Sequence, residues 1–219
     1  KLAIVYEEPK IPYRETIKGF ADVEGRYVKQ SGGSGQYGIV KIKFEHSDKD
    51  FEFVDDIFGG SVPGNYIPAV QKGLEDSMKS GVLAGFPVIG LKATLYDGKY
   101  HPVDSSELAF KMAASFAFKD GCKQAKPTIL EPIMEIQVVA PNDYVGDIMG
   151  DLSKRRGLIM GTEPVGEESY ITAEVPQVEL AKYIIDLKTM TQAQATFTMK
   201  FIRYSEVPNH LVDKIIADN

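Results

Sequence analysis

The stretch MEIQVVAPNDYVGDIMGDLSKRRG, residues 134–157, decides the fold of the second half of the chain. It opens with apolar side chains at every second position, the period of a half-buried strand: Met134, Ile136, Val138 and Ala140. Apolar side chains at helical spacing follow: Val145, Ile148, Met149 and Leu152. Asp143 is the predicted N-cap of this helix, and three cations before Gly157 predict its end. The stretch therefore predicts a strand followed by an amphipathic helix.

The same alternation of elements continues towards the C-terminus. Strand patterns occupy residues 158–163 and 170–175, and a helix is predicted over residues 177–188. Its apolar face is Leu180, Ile184 and Leu187. A last strand over residues 195–204 alternates Phe197, Met199 and Phe201 with polar neighbours. The order βαββαβ predicts a ferredoxin-like unit.

The first half has a different order of elements. Strand-like segments occupy residues 13–20, 22–29, 37–46 and 51–57, then a helix over 66–80 and a strand over 86–96. A second helix opens at DSSE, where Asp104 and Glu107 have the spacing of a capping box. This helix is apolar over much of its circumference, so we expect it to pack on two sides. The pattern predicts an α+β unit with helices on one face of a mixed or antiparallel sheet.

Two prolines predict the boundary between the halves. Pro127 and Pro132 interrupt any continuing helix, so the boundary is expected between residues 126 and 132. A short amphipathic helix after Pro208, within residues 207–219, is expected to dock on one of the units.

Composition indicates an ordinary folded protein, with 43% hydrophobic and 26% charged residues among 219. A single cysteine, Cys122, excludes an internal disulfide framework and fits a reducing compartment. No apolar run approaches the ~20 residues of a membrane span. The first ten residues, KLAIVYEEPK, do not have the pattern of a signal peptide and are typical of a cut inside a longer protein.

The net charge of −6 is unevenly distributed. Residues 1–126 hold 17 basic and 17 acidic side chains, whereas residues 127–219 hold 8 and 14. Between Gly25 and Phe44 there are only basic charges: Arg26, Lys29, Lys41 and Lys43. Such a basic strand pair suits phosphate contacts, and the alternative is an ordinary solvated strand face.

The segment GSGQYGIV, residues 33–40, matches the glycine pattern of nucleotide-binding loops. A dinucleotide site requires a helix after the glycines, and here a strand pattern follows. The kinase lysine, H-R-D and D-F-G motifs are missing, as is G-x-x-x-x-G-K-[ST]. The glycine loop therefore does not predict nucleotide binding.

The sequence contains no pattern of a metal or catalytic site. The three histidines, His46, His101 and His210, are far apart and have no HExxH or Cys/His companion. The carboxylate pair Asp55–Asp56 is interpreted as a strand-end charge.

Two polar loops remain, each of which could also be an ordinary hairpin tip. The first contains glycines that allow close approach to phosphates or bases, and spans residues 30–36. The second, residues 97–102, offers a cation, an aromatic ring and an imidazole, a set suited to RNA.

Six blocks of sequence together resemble the elongation factor G family, in order and across nearly the whole chain. They are YRETI (13–17), VKQSGGSGQYG (28–38), GGSVPGNYIPAVQKGL (59–74), YHPVDSSELAFKMAASFAFK (100–119), LEPIMEIQVVAP (130–141) and GDIMGDLSKRRG (146–157). The resemblance implies an α+β fold of two domains, a mixed-sheet ribosomal-protein-S5-domain-2-like unit followed by a ferredoxin-like βαββαβ unit. Residues 1–126 correspond to domain IV, with the helix of residues 207–219 docking back on it, and residues 129–204 to domain V.

In that family the whole protein is a ribosome-dependent GTPase that promotes movement of the tRNA–mRNA duplex during protein synthesis. GTP and Mg2+ belong to a domain upstream, so this stretch is expected to hold no cofactor or metal and to be no enzyme. Domain IV enters the small-subunit decoding site and contacts the tRNA–mRNA duplex and ribosomal RNA, and domain V lies at the large-subunit factor-binding centre. The resemblance thus implies a cytoplasmic, monomeric partner of the ribosome with no membrane contact.

The family pattern assigns the two loops to the tip of domain IV. The implied RNA-contacting residues are Gln30, Ser31, Gly32, Gly33, Ser34, Gly35, Gln36, Lys99, Tyr100 and His101. Support is expected from Arg26, Lys29, Lys41 and Lys43.

The sequence departs from the family pattern at three places. Ser34 stands where SGGRGQYG has arginine, residues 178–183 (VELAKY) replace S-E-M-F-G-Y, and residues 191–195 (TQAQA) replace T-x-G-R-[AG], so that Gln194 replaces another arginine. Three hypotheses therefore stay open: a translocation arm, the arm of an elongation-factor-G-like paralogue acting in ribosome recycling or stress, and an interaction module unrelated to ribosomes.

Overall fold

The computed structural model describes residues 10–219, so nearly all of the N-terminal segment KLAIVYEEPK lies outside the described residues. The strands are β1 Arg14–Ile17, β2 Ala21–Lys29, β3 Gln36–His46, β4 Phe51–Asp55, β5 Leu91–Lys99, β6 Pro127–Pro141, β7 Leu158–Val165, β8 Glu168–Pro176 and β9 Thr196–Glu206. The helices are α1 Ile67–Ser77, α2 Glu107–Gln124, α3 Val145–Lys154, α4 Tyr183–Met190 and α5 Asn209–Ala217. No helix within residues 10–219 is long and apolar enough to cross a membrane.

The described residues form two compact units. The first comprises Arg14–Leu130 and Val207–Asn219, and the second comprises Glu131–Glu206 with residues 10–13. The boundary falls inside β6, where the prolines had predicted a break. Pro127 is the first residue of this strand, and Pro132 lies outside the registers with β1 and β8. Pro127 thus has the position at which a strand tolerates proline, and Pro132 removes no donor from those two ladders.

The first unit is built on a mixed four-stranded sheet in the order β2-β3-β5-β4. β4 runs parallel to β5, and the other pairs are antiparallel. Apolar residues alternate along each strand and face α1 and α2 from one side of the sheet: Ala21, Val23, Val40, Ile42, Phe44, Leu91, Ala93 and Leu95. α2 packs against both α1 and the sheet, as its apolar circumference predicted. The predicted α+β fold class is confirmed.

One predicted strand of the first unit is wrong in its position. The pattern over residues 86–96 predicted a strand there, but β5 begins only at Leu91 and continues to Lys99. The preceding turn is held by the buried carboxylate of Glu15, which accepts hydrogen bonds from the N–H groups of Leu83, Ala84 and Phe86 at 2.8, 3.0 and 2.9 Å. A carboxylate contributed from so distant a part of the sequence is invisible to a local pattern.

The second unit has the strand order β9-β6-β8-β7, with α3 and α4 completing the βαββαβ sequence. Its core joins alternate residues of β6 and β8 to the inner faces of both helices: Ile136, Val138, Ala140, Ile148, Leu152, Ile171, Ala173, Val175, Tyr183 and Leu187. The predicted ferredoxin-like unit is confirmed.

The helix predicted over residues 177–188 is wrong because it is interrupted. Residues Gln177–Leu180 form a 3-10 turn, Ala181 is extended and Lys182 has φ +59° before α4 begins. The residues before and after the break no longer share one helical stripe. Leu187 is buried as predicted, but Tyr183 is buried in place of Ile184, which is 53% exposed.

Two further predictions in this unit are corrected. Asp143 does not cap α3, because residues Asn142–Tyr144 form a 3-10 turn and Tyr144 takes the cap position without a side-chain bond. On β9, Phe197 packs against Tyr183 with ring centroids 5.3 Å apart, but Met199 and Phe201 are about half exposed. Among the described residues, α4 covers only the beginning of that strand.

The cations at the end of α3 have a role beyond the helix dipole. Arg155 Nη1 donates to the carbonyl of Glu179 at 2.7 Å and to that of Ala181 at 3.3 Å. Arg156, at φ +56°, donates through its two Nη atoms to the buried carboxylate of Glu131 at 2.7 and 2.9 Å. These bonds raise the pKa of Arg156, with Glu131 as the main cause. Arg156 Nε also donates to Glu179 Oε1 at 2.9 Å. The two arginines therefore anchor the interrupted segment 177–182.

Candidate nucleic-acid interface

The two loops predicted as the tip lie side by side at one end of the first unit's sheet. One connects β2 to β3 over residues 30–35, and the other leads from β5 to α2 over residues 100–106. Gln30 Nε2 donates to Asp104 Oδ2 at 2.8 Å, and the Tyr37 N–H donates to the Asp104 carbonyl at 2.9 Å. Ser105 Oγ donates to the Tyr37 carbonyl at 2.7 Å. The two loops are thus one hydrogen-bonded surface, which we call the tip.

The glycines of the β2–β3 loop are required by backbone conformation. Gly32 has φ +60° and Gly33 φ +134°, and a Cβ built on either meets no atom within 4 Å. Ser31 and Ser34 are exposed beside them. The left-handed backbone conformation disfavours any residue other than glycine here, although there is room for a side chain. Because no atoms surround the two glycines, their backbone is open to an approaching partner.

Gly35 differs, because a Cβ built on it would lie 2.5 Å from Asp104 Cγ. At this position the glycine lets the loop close onto the Asp104 carboxylate. Gln36, the last predicted residue of this loop, is the first residue of β3, and its Oε1 accepts from Ser106 Oγ at 3.2 Å.

His101 has a defined orientation in the second loop. Its Nδ1 accepts from the N–H groups of Val103 and Asp104 at 3.2 and 3.0 Å. Its own N–H donates to Ser105 Oγ at 2.8 Å, and its ring centroid lies 6.0 Å from that of Tyr37. Because Nδ1 is an acceptor, the neutral ring carries its proton on Nε2. The side chain is 41% exposed, so it can present Nε2–H as a donor.

Lys99 and Tyr100 lie beside this loop. The second loop was predicted from residue 97, but residues 97–99 complete β5, and Lys99 pairs with Ile39 of β3. Gly98 allows this pairing because a Cβ there would collide with the Ile39 carbonyl and Val62. Tyr100 is 49% exposed and is the first residue beyond the strand.

The four supporting cations do not form the basic strip that the linear sequence indicated. Lys41 lies opposite Glu24 in the β2–β3 register, and its Nζ is 3.8 Å from Asp97 Oδ2. Lys43 lies opposite Asp22, and its Nζ is 4.7 Å from the centroid of the Tyr96 ring. The neighbouring strands therefore bring acids to these two lysines, and the prediction of a basic face is wrong for them.

Tyr96 is part of the same mixed-charge face. Its hydroxyl donates to Asp22 Oδ1 at 2.6 Å, and this bond is the main cause that raises the pKa of Tyr96 to about 12. Arg26 and Lys29 remain nearer the tip. Lys29 ends β2 next to the loop, with its Nζ 5.1 Å from the centroid of the Tyr27 ring.

Sequence reasoning missed the residues that join the loops. Asp104 was predicted to cap α2, but the cap is Ser106, whose Oγ accepts from the Ala109 N–H at 3.1 Å. Asp104 instead contacts Gln30, Tyr37 and the Gly35 backbone. The signal was the polar triplet DSS directly after YHPV, which offers more hydroxyl and carboxylate groups than one helix cap needs.

The tip offers donors, aromatic rings and open backbone, an arrangement that can bind a polar partner. Within residues 10–219, no group of three or more His, Cys, Asp or Glu side chains could hold a metal ion. Backbone N–H groups, an imidazole N–H and a tyrosine ring are the groups that contact phosphates and unstacked bases in RNA.

Comparison with known proteins shows the family to which the chain belongs. The family described as "Elongation factor G, domain IV" matches residues 9–126, and "Elongation factor G C-terminus" matches residues 128–215. The elongation factor G of Mycoplasma genitalium is 52% identical over all 219 residues, which cover 100% of this chain and 32% of that protein. A crystal structure from Thermus thermophilus superposes with a TM-score of 0.89 at 47% identity, covering 96% of this chain and 32% of that one. The chain thus spans about a third of the length of these relatives, and it belongs to the elongation factor G family.

Proposed function

We propose that this chain is the ribosome-binding arm of a translational GTPase, and that its tip contacts the tRNA–mRNA duplex and ribosomal RNA in the small-subunit decoding site. The observation that carries the proposal is the joining of the two loops through Asp104. A surface that enters a site and prevents backward movement must keep its shape under load. Hydrogen bonds between the loops supply that stiffness, and the open Gly32–Gly33 backbone and His101 supply the contact.

In this proposal the protein acts in the cytoplasm and its chemistry occurs elsewhere. GTP and Mg2+ would be bound by a domain outside this chain, and the second unit would lie at the large-subunit factor-binding centre. The contribution of the described residues is binding and positioning only.

A second candidate function is supported by the departures from the family pattern. Ser34 is an exposed residue of the tip where the family has arginine. Gln194, which replaces another family arginine, directs its amide to the Tyr144 hydroxyl at 3.4 Å. The loss of two planar cations weakens phosphate binding, which favours a paralogue acting in ribosome recycling or stress.

Translocation kinetics with the full-length protein test the first proposal. Replacing His101 by alanine should slow tRNA–mRNA movement by about tenfold, the loss of one hydrogen bond to a charged group, while ribosome-stimulated GTP turnover is retained. His210→Ala is the matched control and should leave both rates unchanged. Equal loss of movement and turnover in His101→Ala would contradict a role at the tip.

Assays of the unaltered full-length protein distinguish the two candidate functions. A translocation arm predicts that turnover is accompanied by tRNA–mRNA movement. Robust turnover without movement, together with accelerated splitting of post-termination ribosomes, would establish the paralogue instead.

A further inference from the structure

A second charged surface of the first unit lies between α1 and α2, away from the tip. The groove there has a volume of about 540 Å3. The side chains that matter for its chemistry are Asp76, Ser80, Lys111, Ser115, Lys119 and Lys123.

The groove follows from the spacing of residues on α2. Lys111, Ser115, Lys119 and Lys123 recur at every fourth position, which places them along one face of the helix. At one end the helices touch, because a Cβ built on Gly73 would lie 2.5 Å from the carbonyl oxygen of Lys111. From this contact the groove runs towards Lys123, between α2 on one side and the end of α1 with residues 80–82 on the other.

Asp76, the one carboxylate among the described residues that line the groove, is already paired with cations. Asp76 Oδ2 lies 2.9 Å from Lys111 Nζ, and Asp76 Oδ1 lies 3.3 and 3.4 Å from the Nζ atoms of Lys72 and Lys79. The hydrogen bond from Lys111 is the main cause that lowers the pKa of Asp76 to about 2. At neutral pH this carboxylate is therefore ionised and surrounded by cations.

Lys119 and Lys123 have no such partner. Within the described part of the chain neither forms an ion pair. By contrast, Lys92 of β5 lies 3.5 Å from Glu45, and Lys49, between β3 and β4, lies 3.4 Å from Glu52. The hydroxyls of Ser80 and Ser115 line the same groove and can donate to an anion. Unpaired cations beside hydroxyl donors are the chemistry that binds non-bridging phosphate oxygens.

We propose that this groove binds the phosphate backbone of an RNA strand, as a contact site separate from the tip. Lys119 and Lys123 would hold the phosphate oxygens, with Ser80 and Ser115 as further donors. The volume accommodates a nucleotide-sized group, and the lysines and hydroxyls of the lining favour an anionic one. The choice of RNA over another phosphate-bearing ligand rests on the proposed function.

Salt-dependent binding of a fluorescein-labelled single-stranded RNA to the 219-residue chain tests the site. The double variant Lys119→Gln/Lys123→Gln should bind about tenfold more weakly at low salt, and the slope of log K against log salt should fall by about 1.4, the value for two phosphate contacts. The control Lys49→Gln/Lys92→Gln removes the same charge from paired lysines and should change affinity less than about twofold. Lys119, Lys123 and Lys49 are exposed and Lys92 is half-buried, and none is in the core, so both variants should retain the thermal midpoint.

Several results would overturn the proposal: no RNA binding by the unaltered chain, unchanged binding by the groove variant, or equal losses in the two double variants. The variant His101→Ala in the same assay measures how much the tip contributes to RNA binding. Weakening by the groove variant without an effect of His101→Ala would support the groove and contradict the tip, and the reverse pattern would contradict the groove alone.

Discussion

The tip and the second unit differ in the residues that adopt left-handed backbone. In the tip, positive φ falls on Gly32 and Gly33, where it is inexpensive. In the second unit it falls on Gly166 and on four residues with side chains, Arg156, Lys182, Gln192 and Ala193. At Lys182 and Ala193 the family patterns S-E-M-F-G-Y and T-x-G-R-[AG] have glycine. The chain therefore adopts left-handed backbone at two positions where it lacks the residue that favours it.

Left-handed backbone at residues other than glycine indicates that surrounding contacts impose it in the second unit. Arg155 bonds the carbonyls of Glu179 and Ala181 just before Lys182, and the Ala193 N–H donates to the Lys188 carbonyl at 2.8 Å. Gly32 and Gly33 have no comparable enclosure among the described residues, since a Cβ on either meets open space. We therefore expect substitutions to be tolerated by the second unit only while its arginine anchors remain.

The largest expected effect comes from removing one anchor. Arg156→Ala leaves the Glu131 carboxylate, 3% exposed in its side chain, buried without its cation. The free energy of unfolding of the second unit should fall by about 3 kcal/mol, measured by urea denaturation. Lys154→Ala, at an exposed position just before the two arginines, should change it by less than about 0.5 kcal/mol. Similar effects of both variants would contradict the anchoring role.

A smaller loss is expected in the tip. Gly33→Ala should destabilise the loop by about 1–3 kcal/mol because φ +134° is a conformation that alanine rarely adopts. Gly64→Ala is the matched control, since Gly64 also has open space around its Cβ position but no positive φ. Amide hydrogen exchange of residues 30–37 measures the difference, and equal exchange in the two variants would contradict the conformational argument.

The contact between the two loops of the tip should open more easily without the Asp104 side chain. Asp104→Ala removes the acceptor for Gln30 Nε2, and amides of the β2–β3 loop should exchange about tenfold faster, the effect of losing one hydrogen bond of roughly 1.4 kcal/mol. Asp104→Asn keeps an acceptor oxygen and should restore most of the protection. Equal exchange in both variants would mean that the side chain does not join the loops.

The smallest expected effects are gains in the stability of the second unit. Lys182→Gly and Ala193→Gly should each stabilise the second unit by about 0.5–1 kcal/mol, because relief of left-handed strain exceeds the added entropy of the unfolded chain. Lys188→Gly makes the same change inside α4 and should cost about 1 kcal/mol. Losses of stability at all three positions would show that the surrounding contacts, and not strain, dominate.

Periodicity was sufficient to predict the elements whose packing is regular. The alternation in β6 and the stripe in α3 gave the ferredoxin-like order, because one buried face dictates the spacing of its residues. The break at Ala181 could not be predicted, since residues 177–188 are mostly good helix formers and Arg155 acts from another element. The basic residues between positions 26 and 43 predicted a basic face, and this was wrong for Lys41 and Lys43 for a related reason. The charges along one strand do not show which acidic residues the neighbouring strands place beside them.

The candidate site was predicted in its outline and not in its connections. Glycines and an aromatic–imidazole pair are local signals, so the loops and His101 could be singled out. That Asp104 joins them depends on the register of β3 with β5, which brings residues far apart in the sequence into contact.

Photo-crosslinking from position 34 on the ribosome tests the central claim most directly. A photoreactive side chain at Ser34 of the full-length protein should crosslink to small-subunit ribosomal RNA, mRNA or tRNA, whereas the same group at exposed Asp48, beyond the other end of β3, should not. Crosslinks from both positions at equal yield, or none from position 34, would contradict the account of the tip as an RNA-contacting surface.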